Sequence, residues 1–408
     1  MRSLIGRAAV VAAAAALLGP AAGVASASGV PVLRSSQSRT VDAVASGAAG
    51  HARAAVTETP LPGPHVFGWG YDAPDGVSSD GTHVWIANSA DNSVTELSAA
   101  TGQRVKVLSG ASYRFNGPGA VSSDGIHVWV ANGKGNTVTE LSAATGQLVK
   151  VLSGSSYGFN GPGAVSSDGT RVWVANENGN SVTELSAATG QLVNVLSGAS
   201  YGFNNPRGIS SRGTHVWVTS YGGNTVTELS AATGQLVKVL SGASFGFNNP
   251  RAVSSDGTHV WVTNYGGKTV TELSAATGQL VKVLSGASYG FNGPGAVSSD
   301  GTHVWVVNGN SGTVTEMSAA TGALVHVLSA PSYGFTNPTS ILSDGTHVWV
   351  TNFFSDGTVT EMSAATGALV QVLSAPSYGF REPVAVFSDG TNVWVTNYYV
   401  QSVTGFPA

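Results

Sequence analysis

Six of the nine histidines, His83, His127, His215, His259, His303 and His347, stand 44 residues apart or twice that, and carboxylates such as Asp124 and Glu140 recur at the same interval. Imidazole with carboxylate is the donor set of divalent-metal sites and of acid–base pairs, so these residues are the first candidates for chemistry. The spacing argues for packing instead. A residue repeated once per module is held a module's width from its copies, too far to share a metal, and a sixfold repeat does not suit a singular catalytic role. The aspartates read as turn formers and the glutamates as strand side chains. His51, His65 and His326 add no two or three ligands at useful spacing, and no serine has a strained elbow and an evident base. With no cysteine there is no thiol nucleophile, thiolate ligand or disulfide. No catalytic residue, metal or cofactor is therefore expected.

Tryptophan marks the modules that position these side chains. Trp85, Trp129, Trp173, Trp217, Trp261, Trp305 and Trp349 follow at steps of 44, and Trp394 comes 45 after the last. A period in the forties made of short strand patterns and Gly-rich turns predicts a β-propeller, each repeat forming one blade. In the copy at 118–161 four strands are expected: a at 119–122, b at 127–132, c at 137–142 and d at 147–152, with turns at Ser123-Asp124-Gly125 and at 143–146. Both faces of strand b carry bulk, Val128 and Val130 against His127, Trp129 and Ala131, as blades stacked face to face require. Lys106, Lys150, Lys238 and Lys282 share one position of strand d, with Asn194, His326 and Gln371 at the same place elsewhere. Such residues suit an outer edge, so strand a lines the axis and d the rim.

Seven repeats are complete and the eighth stops after strand c, at 402–406. Eight blades closed by a strand from the N-terminal lead, around 55–61, account for every strand. A seven-bladed ring, the alternative, leaves three unpaired. Residues 1–27 read as a secretory signal: Arg2 and Arg7, an apolar run at 8–18 too short to span a membrane, then Ala25-Ser26-Ala27. Removal after Ala27 takes the formal charge from −4 to −6. Residues 28–64 read as a flexible lead rich in Ala, Ser and Pro, and 65–408 as the propeller. Only 10% of residues are charged, with no basic run, which argues against nucleic acid or an anionic membrane as partner. A secreted monomer without a membrane span is expected, meeting an extracellular ligand or protein.

The motifs VWVAN and VWVTN, followed by TVTEL and an Ala-Thr-Gly turn, resemble the YVTN and NHL-type propeller repeats of exported bacterial proteins, in a superfamily that includes virginiamycin B lyase-like enzymes. The likeness runs from Pro74 to the end. It implies the propeller fold and, for lyase members, a metal with His and Glu on one face. No matching His and Glu set occurs here, so no catalytic residue carries over.

In a propeller the d-to-a and b-to-c loops emerge on one face, and the a-to-b and c-to-d turns on the other. The second face is uniform, with Ser-Asp-Gly and Ala-Ala-Thr-Gly repeated and Ser211-Arg212-Gly213 as the exception. The first varies. Its b-to-c loops begin at Ser89, Gly133, Glu177, Tyr221, Tyr265, Gly309, Phe353 and Tyr398. The residue after the strand-a proline is Asp75, Gly119, Gly163, Arg207, Arg251, Gly295, Thr339 or Val384, near the channel mouth. Arg207, Arg251 and Lys268 place positive charge on blades four and five. Asp72, Asp75, Asp91 and Glu382 place negative charge on blades one and eight, across the channel, with Arg381 offsetting part of it. The expected function is ligand or protein binding on this face, with Arg207 and Arg251 gripping a carboxylate, phosphate or acidic side chain. Tyr221, Tyr265, Phe353, Phe354, Tyr398 and Tyr399 supply apolar walls. Tyr157 and Phe159 with their copies read as interblade packing, and Trp69 as packing near the closing seam. A lyase-like enzyme with a metal-assisted channel site is the alternative, and a structural cell-surface role the third.

Overall fold

The computed structural model describes Leu61 and residues 63–68, 72–329, 331–353, 357–374 and 376–408. The expected signal segment, nearly all of the lead, Trp69 and Phe354 lie outside the described residues. The architecture is all-β: eight four-stranded antiparallel sheets, in seven of which the strands follow chain order from axis to rim. Blade 2 shows the pattern, with strands Pro118–Ser123, His127–Asn132, Thr137–Ser142 and Leu148–Leu152. The b and c bounds match the sequence expectation, a is one residue longer at each end, and d begins one later. Inner strands of neighbouring blades pack together around the axis, and Pro74–Ser79 against Pro383–Ser388 completes the circle of eight. Among the described residues no helix is long and apolar enough to cross a membrane.

The core lies between blades rather than within them. Each repeat tryptophan is at most 1% exposed, and it packs on the valines of the next blade. At one seam, Trp173, Ala175 and Val182 of blade 3 meet Ile209, Val216 and Val218 of blade 4. A blade therefore cannot bury its faces alone, and ring closure is a condition of stability.

The repeated acids belong to this packing. Asp124 Oδ1 accepts the backbone N–H of His127 at 2.7 Å, closing the turn. Its Oδ2 accepts the Trp129 indole N–H at 3.2 Å and the Ser167 hydroxyl of the next blade at 3.1 Å. Blade 4 has Arg212 where the others have aspartate, and the buried Trp217 indole N–H, like that of Trp305 in blade 6, finds no acceptor among the described residues. Arg212→Asp is expected to raise stability by about 1 kcal/mol, the net worth of a restored buried hydrogen bond. The check is the urea midpoint; a fall contradicts the role given to this turn.

The glutamates of strand c form a second ring of structural acids. His127 Nε2 lies 3.7 Å from Glu140 Oε1, and the equivalent pairs elsewhere span 3.5–3.8 Å. Lys238 and Lys282 cross the seam to the Thr277 and Thr321 carbonyls at 2.9 Å, and Lys106 and Lys150 do likewise with Thr145 and Thr189. The rim lysines thus tie blades together as well as marking an edge.

Burial raises Glu96, Glu140, Glu184, Glu228 and Glu272 above their ordinary 4.5, against the lowering pull of the facing His, Lys or Arg171. A carboxyl raised in the fold binds more protons folded than unfolded, so its contribution to stability falls as pH climbs from about 4.5 through the raised value. Burial raises Asp389 in the same direction. Asp80 is lowered by its bonds to His83 and Thr82, which outweigh its burial, and it opposes the trend. The urea midpoint is expected to be higher at pH 4.5 than at pH 8, with Glu140→Gln flattening the slope. A midpoint that rises across that range contradicts it.

Closure uses a different segment from the one expected at 55–61. His65–Phe67 runs antiparallel to Ser402–Pro407, with Val66 opposite Thr404. It follows the prolines at 60, 62 and 64, which have no N–H to donate, whereas His65, Val66 and Phe67 all have one. Residues 55–60 lie outside the described set. Leu61, expected in the lead, is 2% exposed and donates its N–H to Asn392 Oδ1 at 2.8 Å. Blade 8 has Asn392 and Gly405 where other blades have His (Arg171 in blade 3) and Glu, and Leu61 with Trp394 fills the space over Gly405. At six of the other seams a turn glycine covers the preceding blade's glutamate, as Gly146 covers Glu96. At the closing seam Gly102 covers the Phe67 ring.

Candidate binding site on the variable face

The b-to-c and d-to-a loops of each blade are tied at one end of the ring by a shared bond. The N–H of Tyr221 reaches the Asn205 carbonyl at 3.0 Å, that of Tyr265 reaches Asn249 at 3.1 Å, and that of Tyr398 reaches Glu382 at 3.1 Å. Each inner strand enters through a bulge just after its proline: Pro118 pairs with Asn132 and Ala120 with Ala131, leaving residue 119 as the extra one. A bulge re-aims its side chain and recurs beside functional sites. Arg207 and Arg251 occupy it in blades 4 and 5, Asp75 in blade 1.

The bulge brings the two arginines and two tyrosines together. The Arg207 guanidinium carbon lies 4.5 Å from the centre of the Tyr221 ring, and that of Arg251 lies 5.3 Å from Tyr265. Cation over π-face holds each guanidinium by its flat side. Arg207 is half-buried, with its Nε donating to Asn205 Oδ1 at 2.9 Å. Arg251 is only 8% exposed. Burial lowers its pKa most, and the like charge of Arg207 lowers it further, against the raising influence of Tyr265 and Tyr221.

Thr219 helps set this arrangement and was not singled out from sequence. Its hydroxyl donates to the Arg251 carbonyl at 3.0 Å and accepts the Gly208 N–H at 2.9 Å, joining blades 4 and 5 beneath the arginines. The signal was present in the change from VWVAN to VWVTS.

Lys268 is not drawn into the pair. It stands exposed at φ 54°, in the turn position that Asn136, Asn180 and Asn224 hold elsewhere. Those asparagines accept an N–H from the next blade at 2.7–2.8 Å, which an ammonium cannot do. Lys268 therefore replaces a structural link and does not join the grip.

The acids gather on the other side. Burial raises Tyr398, and the charges of Asp75, Glu382 and Asp72 raise it further. Asp91 is raised by burial and by Asp72, and Gln401 donates to Asp72 at 2.8 Å. Arg381 lies over exposed Tyr399 at 4.4 Å. Blades 8 and 1 stand opposite 4 and 5 in a ring of eight, so the acids and the arginines occupy opposite sides of the mouth. Phe353 is half-buried in its own loop.

Among the described residues no three His, Asp or Glu side chains converge to hold a metal. A cleft of about 290 Å³ opens instead on the uniform face, between blades 1 and 2, lined by Asp80, His83, Gly125 and Ala143. Its side chains are copies of the repeat and set it apart from no other seam.

No protein-family model matches the sequence, and a search of curated proteins finds no similar one. Solved structures do match. The computationally designed Ika8 protein aligns at TM-score 0.69 and 17% identity, over 86% of this chain and 99% of its own. BamB from Moraxella catarrhalis aligns at 0.60 and 14%, over 81% and 93%. A catalytically inactive virginiamycin B lyase from Staphylococcus aureus, solved with quinupristin, aligns at 0.56 and 15%, over 73% and 97%. Identities this low carry fold and no further: the chain is an eight-bladed β-propeller, similar in architecture to these structures.

Proposed function

We propose that the protein is an exported binding module that takes an anionic ligand at the channel mouth of its variable face. The observation that supports this best is Arg251, a guanidinium almost wholly buried and set beside a second cation, Arg207. Burying one charge next to another of the same sign is costly, and an anion between the two offsets that cost with charge-assisted hydrogen bonds. Tyr221 and Tyr265 hold the planar groups so that little freedom is lost on binding. The six repeated histidines and seven strand-c glutamates of the uniform face have no part in it.

Thermal melting in a panel of anions tests this. The wild-type chain is expected to gain stability with phosphate or succinate, by mass action on the folded state. An Arg207→Gln, Arg251→Gln variant is expected to gain none. Equal gains in both would remove the arginines from the site. The lyase neighbours suggest a second reading, an enzyme acting at the same mouth, where Tyr398 sits among Asp72, Asp75 and Glu382; turnover of quinupristin by the protein would favour it.

A further inference from the structure

Blade 8 differs from the other seven where its outer strand docks. In every complete repeat strand c sets a glutamate opposite a polar residue of strand d: Lys106, Lys150, Lys238 and Lys282, or Asn194, His326 and Gln371. Blade 8 sets Gly405 opposite His65, with no carboxylate to meet. A Cβ built on Gly405 would stand 2.5 Å from Trp394 Cζ3 and 3.1 Å from Leu61 Cδ1, so apolar groups take the place of a glutamate. Asn392 serves both sides of the seam: its Oδ1 accepts the Leu61 N–H at 2.8 Å, and its Nδ2 donates to the Ala99 carbonyl of blade 1 at 3.1 Å. The residue at this position elsewhere, such as His127 or Arg171, lies against the strand-c glutamate instead. Phe67 lies under Gly102 of blade 1, where any larger residue would meet its ring.

Backbone pairing alone would not choose among strands, because each strand c offers the same ladder to any extended segment, of this chain or of a second copy. Side chains must choose. We propose that blade 8 is a sequence-selective groove for an extended peptide with a bulky apolar residue four positions before a His-Val-Phe strand, and that Asn392 and Gly405 are the positioning residues that make residues 61–67 its occupant. A strand d seated here would bring a lysine to a place with no carboxylate, and would leave a cavity beside Trp394. Residues 61–67 seated on an ordinary blade would press Leu61 against a buried glutamate and leave that carboxylate without its strand-d partner. Each segment therefore fits one kind of blade. Near-identical repeats close once, at eight, and the strands d of a second copy are kept out of the seam.

Peptide binding to the full-length chain tests this. Leu61→Asp with Phe67→Asp loosens the chain's own segment and leaves all eight blades as they are, and labelled peptides are then titrated by fluorescence anisotropy. A peptide of residues 61–68 is expected to bind at least about tenfold tighter than the same peptide with Leu61→Asp, and than residues 146–153, an ordinary strand d. Adding Asn392→His to the loosened chain is expected to remove most of that preference, and the wild-type chain, whose groove is filled, to bind none of the three. If the double variant does not fold, hydrogen exchange on chains with the native segment decides. Asn392→Ala is expected to speed exchange across Ser402–Pro407 at least about tenfold while Thr358–Ser363 of blade 7 is unchanged. Equal affinity for the three peptides, preference for the strand-d peptide, no binding by a folded double variant, or equal binding by wild type overturns the groove. Exchange that quickens in both strands alike, or in neither, overturns it too, and a preference that survives Asn392→His removes Asn392 from it.

Discussion

Reversing both charges, Arg207→Glu with Arg251→Glu, is expected to weaken the binding of phosphate-type anions at least 100-fold. Each arginine contributes charge-assisted hydrogen bonds worth about 1.5–3 kcal/mol, and their loss in a partly buried site compounds to that size or more. The reversal also sets two carboxylates against the ligand. Arg251 lies deep enough for a glutamate there to disturb packing, so Arg251→Met serves as the companion variant: it keeps bulk, removes charge, and should lose binding while the apo protein melts no lower. Lysine at both positions keeps the charge but not the planar fork, and an intermediate loss of about tenfold is expected. Calorimetry reads all three. Binding that survives the double reversal contradicts the role of these residues.

A chain that begins at Gly68 is expected to lose about 5 kcal/mol or more of stability. It lacks the strand His65–Phe67 with its pairing to Ser402–Pro407, the Leu61 bond to Asn392, and the apolar burial of Leu61 and Phe67. Burial of one large apolar side chain is worth about 1.5–3 kcal/mol and each backbone bond about 1. The edge of Ser402–Pro407 would be laid open, so association through that strand is expected as well. Urea unfolding and size-exclusion chromatography check both effects, and a peptide of residues 61–68 added in excess should restore part of the loss. An unchanged midpoint would mean that the ring does not depend on this closure.

Much of this was legible because the sequence repeats. The tryptophan period set the blade, and counting strands set the number at eight, since one strand was missing from the last repeat. Lysines on strand d placed the rim correctly. The closing segment was read six or so residues too early, because an apolar stretch before three prolines looks like a better strand than three residues after them. The sign that corrects it lies in blade 8, where Asn392 and Gly405 replace the repeated His and Glu and leave a hole that only an outside side chain fills. Single-turn 3-10 helices precede six of the eight inner strands, as Ser155–Tyr157 does, and pattern does not foretell them; Tyr157 stacks on Phe159 at 5.4 Å, so the aromatic pairing is legible but not the turn that makes it.

At the site, repeat position alone placed Arg207 and Arg251 together and Asp75 across from Arg251. What pattern could not supply was contact between blades: that Thr219 carries the backbone of Arg251, and that the two arginines differ in depth. Charge weighed before backbone makes Lys268 a third cation of the site. Its alignment with Asn136, Asn180 and Asn224 marks it as a left-handed turn residue that has lost a structural bond.

The most direct test of the anion site is nuclear magnetic resonance of the arginine side-chain Nε–H groups during titration of the intact protein with ethyl phosphate. The resonances of Arg207 and Arg251, assigned by single replacement, are expected to move together and saturate at one equivalent while those of Arg104, Arg114 and Arg171 stay in place. Movement confined to those other arginines, or none at all, would contradict the account.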